Sequence, residues 1–219
     1  LNEIEKEITE FLSELIRLDT TNPPGNETKA AEFIAQYLAK DGFKSEIIES
    51  APGRGSLITK LKGNGEKPNL LLLSHLDVVA ANPSEWSVSP FAGTIKEGYV
   101  YGRGAYDMKG MTAVEVFTLK LLKKNKIPLK GDVVLAATAD EEKGGEGGAD
   151  AQSARVDLAE AHGDDDDLDL GQEALEQGGG LDAGHAGQVD VHEHDRRAEG
   201  VDFLQALLGG GPDADAAGL

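Results

Sequence analysis

The sequence predicts an α/β fold in which a sheet is flanked by helices. In the first 150 residues, stretches with helical periodicity alternate with short apolar runs that turn residues bound, a pattern typical of α/β layer folds. Two of these runs, at residues 70–73 and 132–138, are almost continuously apolar, as expected of strands covered on both faces. Ligand sites in open α/β sheets lie beyond the carboxyl ends of such strands. The residues that follow each run are therefore candidates for function.

Two helices are predicted before the first strand. The first, over residues 1–19, carries apolar residues at helical spacing: Ile4, Ile8, Phe11, Leu15 and Leu18. The successive prolines at positions 23 and 24 end this helix, because proline lacks a backbone donor and clashes with the preceding turn. Residues 28–40 repeat the helical pattern, and Gly42 marks the end. Residues 44–49 and 56–62 follow as strands on either side of a glycine-rich turn.

The central stretch of the sequence is residues 70–77, which read LLLLSHLD. The four leucines predict a buried strand, with His75 and Asp77 at its carboxyl end. Side chains two residues apart on a continuing strand point to the same side. An imidazole would then lie beside a carboxylate, which suits a metal ligand and its neighbour. The alternative is a strand end whose polar residues only contact solvent.

Two later stretches place acidic residues in comparable positions. After a predicted hairpin at 91–95 and 99–101, the segment GRGAYDMKG delivers Asp107 to the start of a helix. The alternative is an acid that only complements the helix dipole, for about 0.3–1 kcal/mol. Residues 132–138 are followed by Glu141, Glu142 and a glycine-rich loop, where backbone can approach a ligand closely. The alternative there is a solvated pair of charges.

Composition limits the chemistry and the partners. The chain of 219 residues has no cysteine, so any metal must be held by His and carboxylates, which suits catalytic zinc, manganese or cobalt. A net charge of −19 argues against nucleic acid and anionic membranes as partners. No apolar run is long enough to cross a bilayer. A cytoplasmic location is the default, although a start at Leu1 rather than Met leaves room for a removed leader.

Together, these residues predict a two-metal hydrolase site. Such a site needs ions about 3.5–4 Å apart, a bridging acid, terminal ligands and a base for the attacking water. His75 suits a terminal ligand, with Asp77 accepting its other ring N–H. Asp107, alone on its loop, suits the bridge. Of the two adjacent glutamates, one can bind metal while the other takes a proton.

Three segments, SHLDVV, GRGAYDMKG and ATADEEKGG, resemble the successive motifs of the dinuclear zinc amidohydrolases and peptidases. That family includes aminoacylase, acetylornithine deacetylase, succinyl-diaminopimelate desuccinylase and glutamate carboxypeptidase, and the resemblance covers residues 1–148. It implies a zinc-peptidase-like catalytic domain with a three-layer sheet flanked by helices, here incomplete. It also implies a hydrolase that uses metal-activated water to cleave an amide or peptide bond, with an N-acyl amino acid or a small peptide as substrate.

The resemblance implies a role for each candidate residue. His75 and Glu142 would each bind one of two divalent ions, with zinc preferred and cobalt or manganese as substitutes. Asp107 would bridge the two ions and be followed by a cis peptide bond. Asp77 would support His75. Glu141 would act as the general base that passes a proton to the leaving amine.

Residues 149–219 do not resemble that family. From residue 151 onward they hold 17 acidic residues against 3 arginines, with a run of four aspartates at 164–167, a composition that favours low order. We predict that residues 1–148 are the N-terminal part of a catalytic domain and that residues 149–219 are an acidic Gly/Ala/Asp-rich tail that is not the family's own continuation, as a frameshift or a joined fragment would produce. The family's dimerisation domain, a further acidic ligand and a second His ligand would then be absent. The alternative function is a catalytically incomplete module that only binds a metal or a partner.

Overall fold

The computed structural model describes residues 2–144, and the predicted tail at 149–219 lies outside them. The helices of this part are α1 (Glu3–Arg17), α2 (Glu27–Ala39) and α3 (Lys109–Lys124). Its strands are β1 (Ser45–Glu49), β2 (Gly55–Leu61), β3 (Leu70–His75), β4 (Thr94–Lys96), β5 (Tyr99–Tyr101) and β6 (Val133–Thr138). Short 3-10 helices lie at Pro83–Glu85 and Glu141–Lys143. The predicted α/β class and the order of elements are confirmed, with element ends shifted by a few residues.

The strands β3 and β6 lie side by side and run parallel in a four-stranded sheet of order β1-β2-β6-β3. β1 pairs antiparallel with β2, and β2 antiparallel with β6. The register places His75 opposite Thr138, so β3 and β6 end at the same edge of the sheet. The polar residues that follow the two strands therefore meet at that edge. β4 and β5 form the predicted hairpin.

The described helices pack together on one face of the sheet. The strand residues of the hydrophobic core alternate along β2 and β6, where Leu57 lies opposite Ala137, Leu61 lies opposite Val133, and Leu135 lies between Val133 and Ala137. Phe11 of α1, Ile34 of α2 and Phe117 of α3 join the same cluster. One contiguous core thus holds the sheet and the helices, and none of these helices has the length and apolar character needed to cross a bilayer.

β3 differs from the prediction of a strand buried on both faces. Leu71 and Leu73 are 41% and 50% exposed, and β3 is an edge strand within residues 2–144. Successive residues of a strand face opposite sides, and Leu72 contacts the core. Leu71 and Leu73 therefore point away from the helices. A run of leucines gives no information about which face of its sheet is covered, so the sequence could not reveal this asymmetry.

The segment between α1 and α2 is tied to the residues that follow β3. Thr20 Oγ1 donates a hydrogen bond to Leu76 O at 2.6 Å, and the backbone N–H of Val78 donates to Thr20 O at 3.2 Å. The backbone N–H of Asn22 donates to Val78 O at 2.9 Å. These bonds bring Asn22 to the carboxyl end of β3, although the two segments are far apart in the sequence.

Candidate metal centre

His75 is the last residue of β3, and its side chain is only 7% exposed. Its Nδ1 lies 3.0 Å from the backbone oxygen of Asp77, and because a carbonyl only accepts, Nδ1 carries the proton. Its Nε2 lies 3.2 Å from Asp107 Oδ1 and 3.7 Å from Glu141 Oε2. Burial lowers the pKa of His75, but the hydrogen bonds to Asp77 and the charge of Glu141 outweigh it and raise the pKa to about 9. One ring nitrogen is thus fixed by the backbone while the other faces carboxylates, as in histidines that bind metals.

The carboxylate of Asp77 is fully buried and holds the turn that carries both glutamates. Its Oδ1 accepts the backbone N–H of Glu141 at 3.1 Å, and its Oδ2 accepts that of Glu142 at 3.0 Å. Oδ2 also accepts Asn22 Nδ2 at 2.8 Å, and Oδ1 lies 3.4 Å from His75 Nδ1. Burial raises the pKa of Asp77, but these hydrogen bonds outweigh it and hold the pKa below its usual value. The residue is therefore ionised at neutral pH.

Asp107 reaches the site from the loop before α3, and its side chain is 69% exposed. Gly104 in this loop has φ +83°, and a Cβ there would lie 2.8 Å from Val78 Cγ1. Only glycine adopts this conformation without strain and lets the loop pass so close to the residues after β3. The peptide bond between Asp107 and Met108 is cis, as the resemblance implied.

Lys109 anchors the same loop to the end of α1. Its side chain is fully buried, and its Nζ donates hydrogen bonds to Leu15 O at 3.1 Å and Leu18 O at 2.7 Å. The last carbonyl groups of a helix lack intrahelical partners and carry the negative end of its dipole. The ammonium group therefore hydrogen-bonds to carbonyl groups at the end of α1. Through this contact, Lys109 holds in place the loop that carries Asp107.

Glu141 and Glu142 lie on the 3-10 helix that follows β6. Asp140 precedes them with φ +68°, a left-handed conformation that L-residues other than Asn and Asp rarely adopt. The side chain of Glu141 is 60% exposed and directs Oε2 towards His75. Burial raises the pKa of Glu142 above its usual value, and the neighbouring carboxylates raise it further against the opposing charge of His75. The turn thus presents two acidic groups to one imidazole.

These side chains form a group that fits a divalent cation. His75, Asp107 and Glu142 each place a ligand atom within 4.8 Å of the others. An imidazole and two carboxylates suit catalytic zinc, manganese or cobalt. Burial raises the pKa of Glu142, and the negative charge of neighbouring acids adds to that rise; a bound cation would offset this negative charge. The structure therefore brings together the three residues expected to bind metal, with Glu141 beside them and Asp77 behind His75.

Asn22 is a residue of this site that the sequence did not single out. Its Nδ2 donates to Asp77 Oδ2 at 2.8 Å and to Asp140 Oδ1 at 2.9 Å, so one amide group joins the end of β3 to the turn after β6. No local pattern marks such a residue. The only available signal was its place in the TNPPG turn, which lies within the stretch that resembles the family.

A model of Peptidase family M20/M25/M40 matches residues 71–207 of the chain. That range includes all five candidate residues named from the sequence: His75, Asp77, Asp107, Glu141 and Glu142. The matched range therefore contains the segments that form the candidate metal centre and extends past residue 144, where the described part of the chain ends.

Similar proteins are longer than this chain. A probable succinyl-diaminopimelate desuccinylase of Staphylococcus aureus is 38% identical over 145 residues, which are 65% of this chain and 35% of that protein. The N-formyl-4-amino-5-aminomethyl-2-methylpyrimidine deformylase of Bacillus subtilis is 34% identical over 148 residues, 66% of this chain and 35% of that protein. Among solved structures, the M20 family metallo-carboxypeptidase of Sulfolobus solfataricus has a TM-score of 0.60 at 26% identity, covering 75% of this chain and 36% of that one. The chain spans about a third of the length of these relatives.

Proposed function

The chain belongs to Peptidase family M20/M25/M40, and we propose that it is a metal-dependent hydrolase that cleaves the amide bond of an N-acyl amino acid or a small peptide. The main observation behind this proposal is that the ligand atoms of His75, Asp107 and Glu142 lie within 4.8 Å of one another at one edge of the sheet. The names of two relatives support the class of bond, since a desuccinylase and a deformylase each remove an acyl group.

We propose that His75, Asp107 and Glu142 hold two divalent ions, zinc by preference, with Asp107 shared between them. A bound divalent cation supplies a Lewis acid for the amide carbonyl and lowers the pKa of a coordinated water. Asp77 keeps the His75 ring oriented, because the backbone oxygen and the carboxylate of Asp77 both lie beside Nδ1. That leaves Nε2 directed at the ligand carboxylates.

We assign the general-base role to Glu141. Its carboxylate is exposed and lies 3.7 Å from His75 Nε2, and its backbone N–H donates a hydrogen bond to Asp77 Oδ1. From this position the group can accept a proton from the attacking water and return it to the nitrogen of the leaving amine. Water then adds across the amide bond to give a carboxylic acid and an amine, with no net proton change at Glu141.

The test is hydrolysis by the full chain with added zinc or cobalt. The substrates are N-formyl, N-acetyl and N-succinyl amino acids and dipeptides, and released primary amine is measured. We expect Glu141→Gln to lower turnover by about 10²–10⁴-fold, the usual contribution of a positioned acid–base group. Glu66→Gln is the matched control, because Glu66 is exposed and precedes the amino end of β3. Turnover that survives Glu141→Gln unchanged would overturn the assignment.

A second candidate function is a module that binds one metal or a partner without turnover. It is favoured by the ligand set, because the described part of the chain groups three ligand residues, His75, Asp107 and Glu142, within 4.8 Å, and three protein ligands suit a single catalytic ion. Metal content per chain after exhaustive dialysis separates the two. If the chain is a hydrolase, we expect about two zinc ions per chain and their loss in His75→Ala. If it is a binding module, we expect one weakly held ion and no hydrolysis.

A further inference from the structure

Arg54 lies in the turn between β1 and β2 and pairs with a buried carboxylate of α2. Its Nε is 2.9 Å from Glu27 Oε2, and the two side chains are 17% and 0% exposed. Burial raises the pKa of Glu27 and the charge of Arg54 opposes that change. A buried carboxylate needs a partner of opposite charge. The ion pair therefore fixes the guanidinium at a defined place on the surface of α2.

The other side of the guanidinium faces the segments that form the metal centre. Nη2 donates to Asp140 Oδ1 at 2.5 Å. Nη1 donates to Pro24 O at 3.2 Å and lies 3.5 Å from Asn22 Oδ1. A guanidinium is planar and carries five N–H donors in a rigid fork. One side chain thereby connects α2, the segment before α2 and the turn after β6.

The backbone leaves a path for this side chain. Gly25 has φ +81°, and a Cβ on it would lie 2.5 Å from Arg54 Nε. Any other residue at this position would displace the guanidinium, since a Cβ does not approach other atoms so closely. The segment that carries Asn22 is therefore shaped around Arg54.

Asp140 links Arg54 and Asn22 to the two glutamates, which follow it directly in the chain. Its backbone is left-handed, with φ +68°, so the chain turns sharply as it leaves β6. Its carboxylate is held by Arg54 Nη2 and by Asn22 Nδ2. The next two residues, Glu141 and Glu142, donate their N–H groups to Asp77. The direction in which both glutamates leave the sheet therefore depends on how Asp140 is held.

We propose that Arg54 is a positioning residue for the metal centre, which acts through Asp140 and Asn22 to fix the turn that presents Glu141 and Glu142. This inference rests on the proposed function, since it assigns Arg54 to the same site. The residue is far from the three ligands in the sequence, and the segments that it joins belong to different elements.

The first experiment is amide hydrogen exchange on the full chain without metal. The variants are Arg54→Gln and Arg54→Lys, with Arg17→Gln as the control, because Arg17 is exposed and donates to Ala92 O on a different loop. We expect exchange at Glu141 and Glu142 to accelerate about tenfold or more in Arg54→Gln, while the amides of β6 and the Arg17→Gln protein keep the wild-type rates. Lysine retains the charge without the fork, so Arg54→Lys should give an intermediate rate.

The second experiment is zinc affinity, measured by competition with a chromophoric chelator well below the unfolding temperature. Loss of a residue that orients metal ligands typically lowers affinity about 10–100-fold, and we expect a fall of that size in Arg54→Gln and none in Arg17→Gln. Unchanged exchange at Glu141 and Glu142, or equal acceleration throughout β6, would overturn the positioning role. Absence of zinc binding by the wild type would instead overturn the proposed function, and the exchange rates would still decide the role of Arg54.

Discussion

At the scale of single residues, the buried carboxylate of Asp77 joins several parts of the site. It accepts N–H groups from Asn22, Glu141 and Glu142 and lies 3.4 Å from the ring of His75. Together with His75, these donors come from three separate segments of the chain. A single carboxylate thus fixes the histidine and the glutamates relative to each other before any metal binds.

We predict that Asp77→Asn weakens both the fold and the metal centre. An amide has one acceptor oxygen and turns an NH2 group towards backbone N–H donors, so at least one buried donor loses its partner. The expected cost is about 1–3 kcal/mol in the free energy of unfolding and about 10–100-fold in zinc affinity. Urea denaturation of the metal-free chain and chelator competition measure the two effects. Zinc affinity equal to that of the wild type would contradict the role of Asp77.

Glu115 of α3 gives a prediction about pH. It is 8% exposed, and its Oε2 has no hydrogen-bond partner within residues 2–144, so burial raises its pKa. The folded state then retains a proton that the unfolded state releases, and stability falls as pH rises through the folded-state pKa. We predict that Glu115→Met, which removes this titration, raises the free energy of unfolding by about 1–3 kcal/mol at pH 8 and by less at pH 4.

Thermal unfolding of wild type and variant at pH 4, 6 and 8 measures this difference. Glu32→Met is the control, because Glu32 is on the exposed side of α2 and its substitution should show no such trend. A gain that is equal at every pH would contradict the titration of Glu115 as the cause.

At the scale of elements, an aromatic cluster joins the three helices. The ring of Phe11 in α1 lies 5.1 Å from that of Phe33, 4.6 Å from that of Tyr37 and 5.7 Å from that of Phe117. Phe33 and Tyr37 belong to α2, and Phe117 belongs to α3. Close to these rings, Lys120 of α3 donates a hydrogen bond to Glu7 of α1. The helices are therefore held to each other as well as to the sheet.

We predict that Phe11→Ala lowers the free energy of unfolding by about 3–5 kcal/mol, the usual cost of truncating a buried aromatic residue. Phe11→Leu, which keeps most of the apolar volume, should cost clearly less. Urea denaturation followed by circular dichroism measures both. A loss below about 1 kcal/mol for the alanine variant would show that the three helices do not depend on this contact.

At the scale of the whole molecule, the sheet has one face that the described helices leave uncovered. Leu71 and Leu73 of β3 are exposed on that face, next to Val134 and Ala136 of β6, which are buried. Exposed apolar patches of this kind promote association. The chain should therefore self-associate or bind apolar dyes through this face.

We predict that the double substitution Leu71→Lys and Leu73→Lys reduces association in analytical ultracentrifugation and reduces dye binding. The free energy of unfolding should change by about 0.5 kcal/mol per site or less, as is usual at exposed positions. Leu72→Lys is the matched control, because Leu72 lies on the same strand but is partly buried against the core, so a charge there should destabilise the fold more than the double substitution does. Strong destabilisation by the double substitution would show that Leu71 and Leu73 are not exposed in solution.

The sequence by itself determined the α/β class, the order of the elements and the five candidate residues. Periodicity and turn residues report local conformation, so helices and strands were found to within a few residues. Five candidate residues could be named because each ends or follows a strand or precedes a helix, and the carboxyl ends of parallel strands meet at one edge of a sheet: His75, Asp77, Asp107, Glu141 and Glu142. The metal-binding and catalytic roles assigned to them remain predictions that the experiments above test.

The tertiary structure alone decided how the site is held and which face of the sheet is covered. Arg54, Asn22 and Asp140 act on the site through contacts between segments far apart in the chain, and no local pattern encodes such contacts. β3 ends at His75, so a hydrogen-bonded loop, rather than strand alternation, places Asp77. The exposure of Leu71 and Leu73 depends on which elements pack against β3. The local sequence pattern indicates the conformation of each segment. Burial and long-range hydrogen bonds depend instead on which distant segments come into contact when the chain folds.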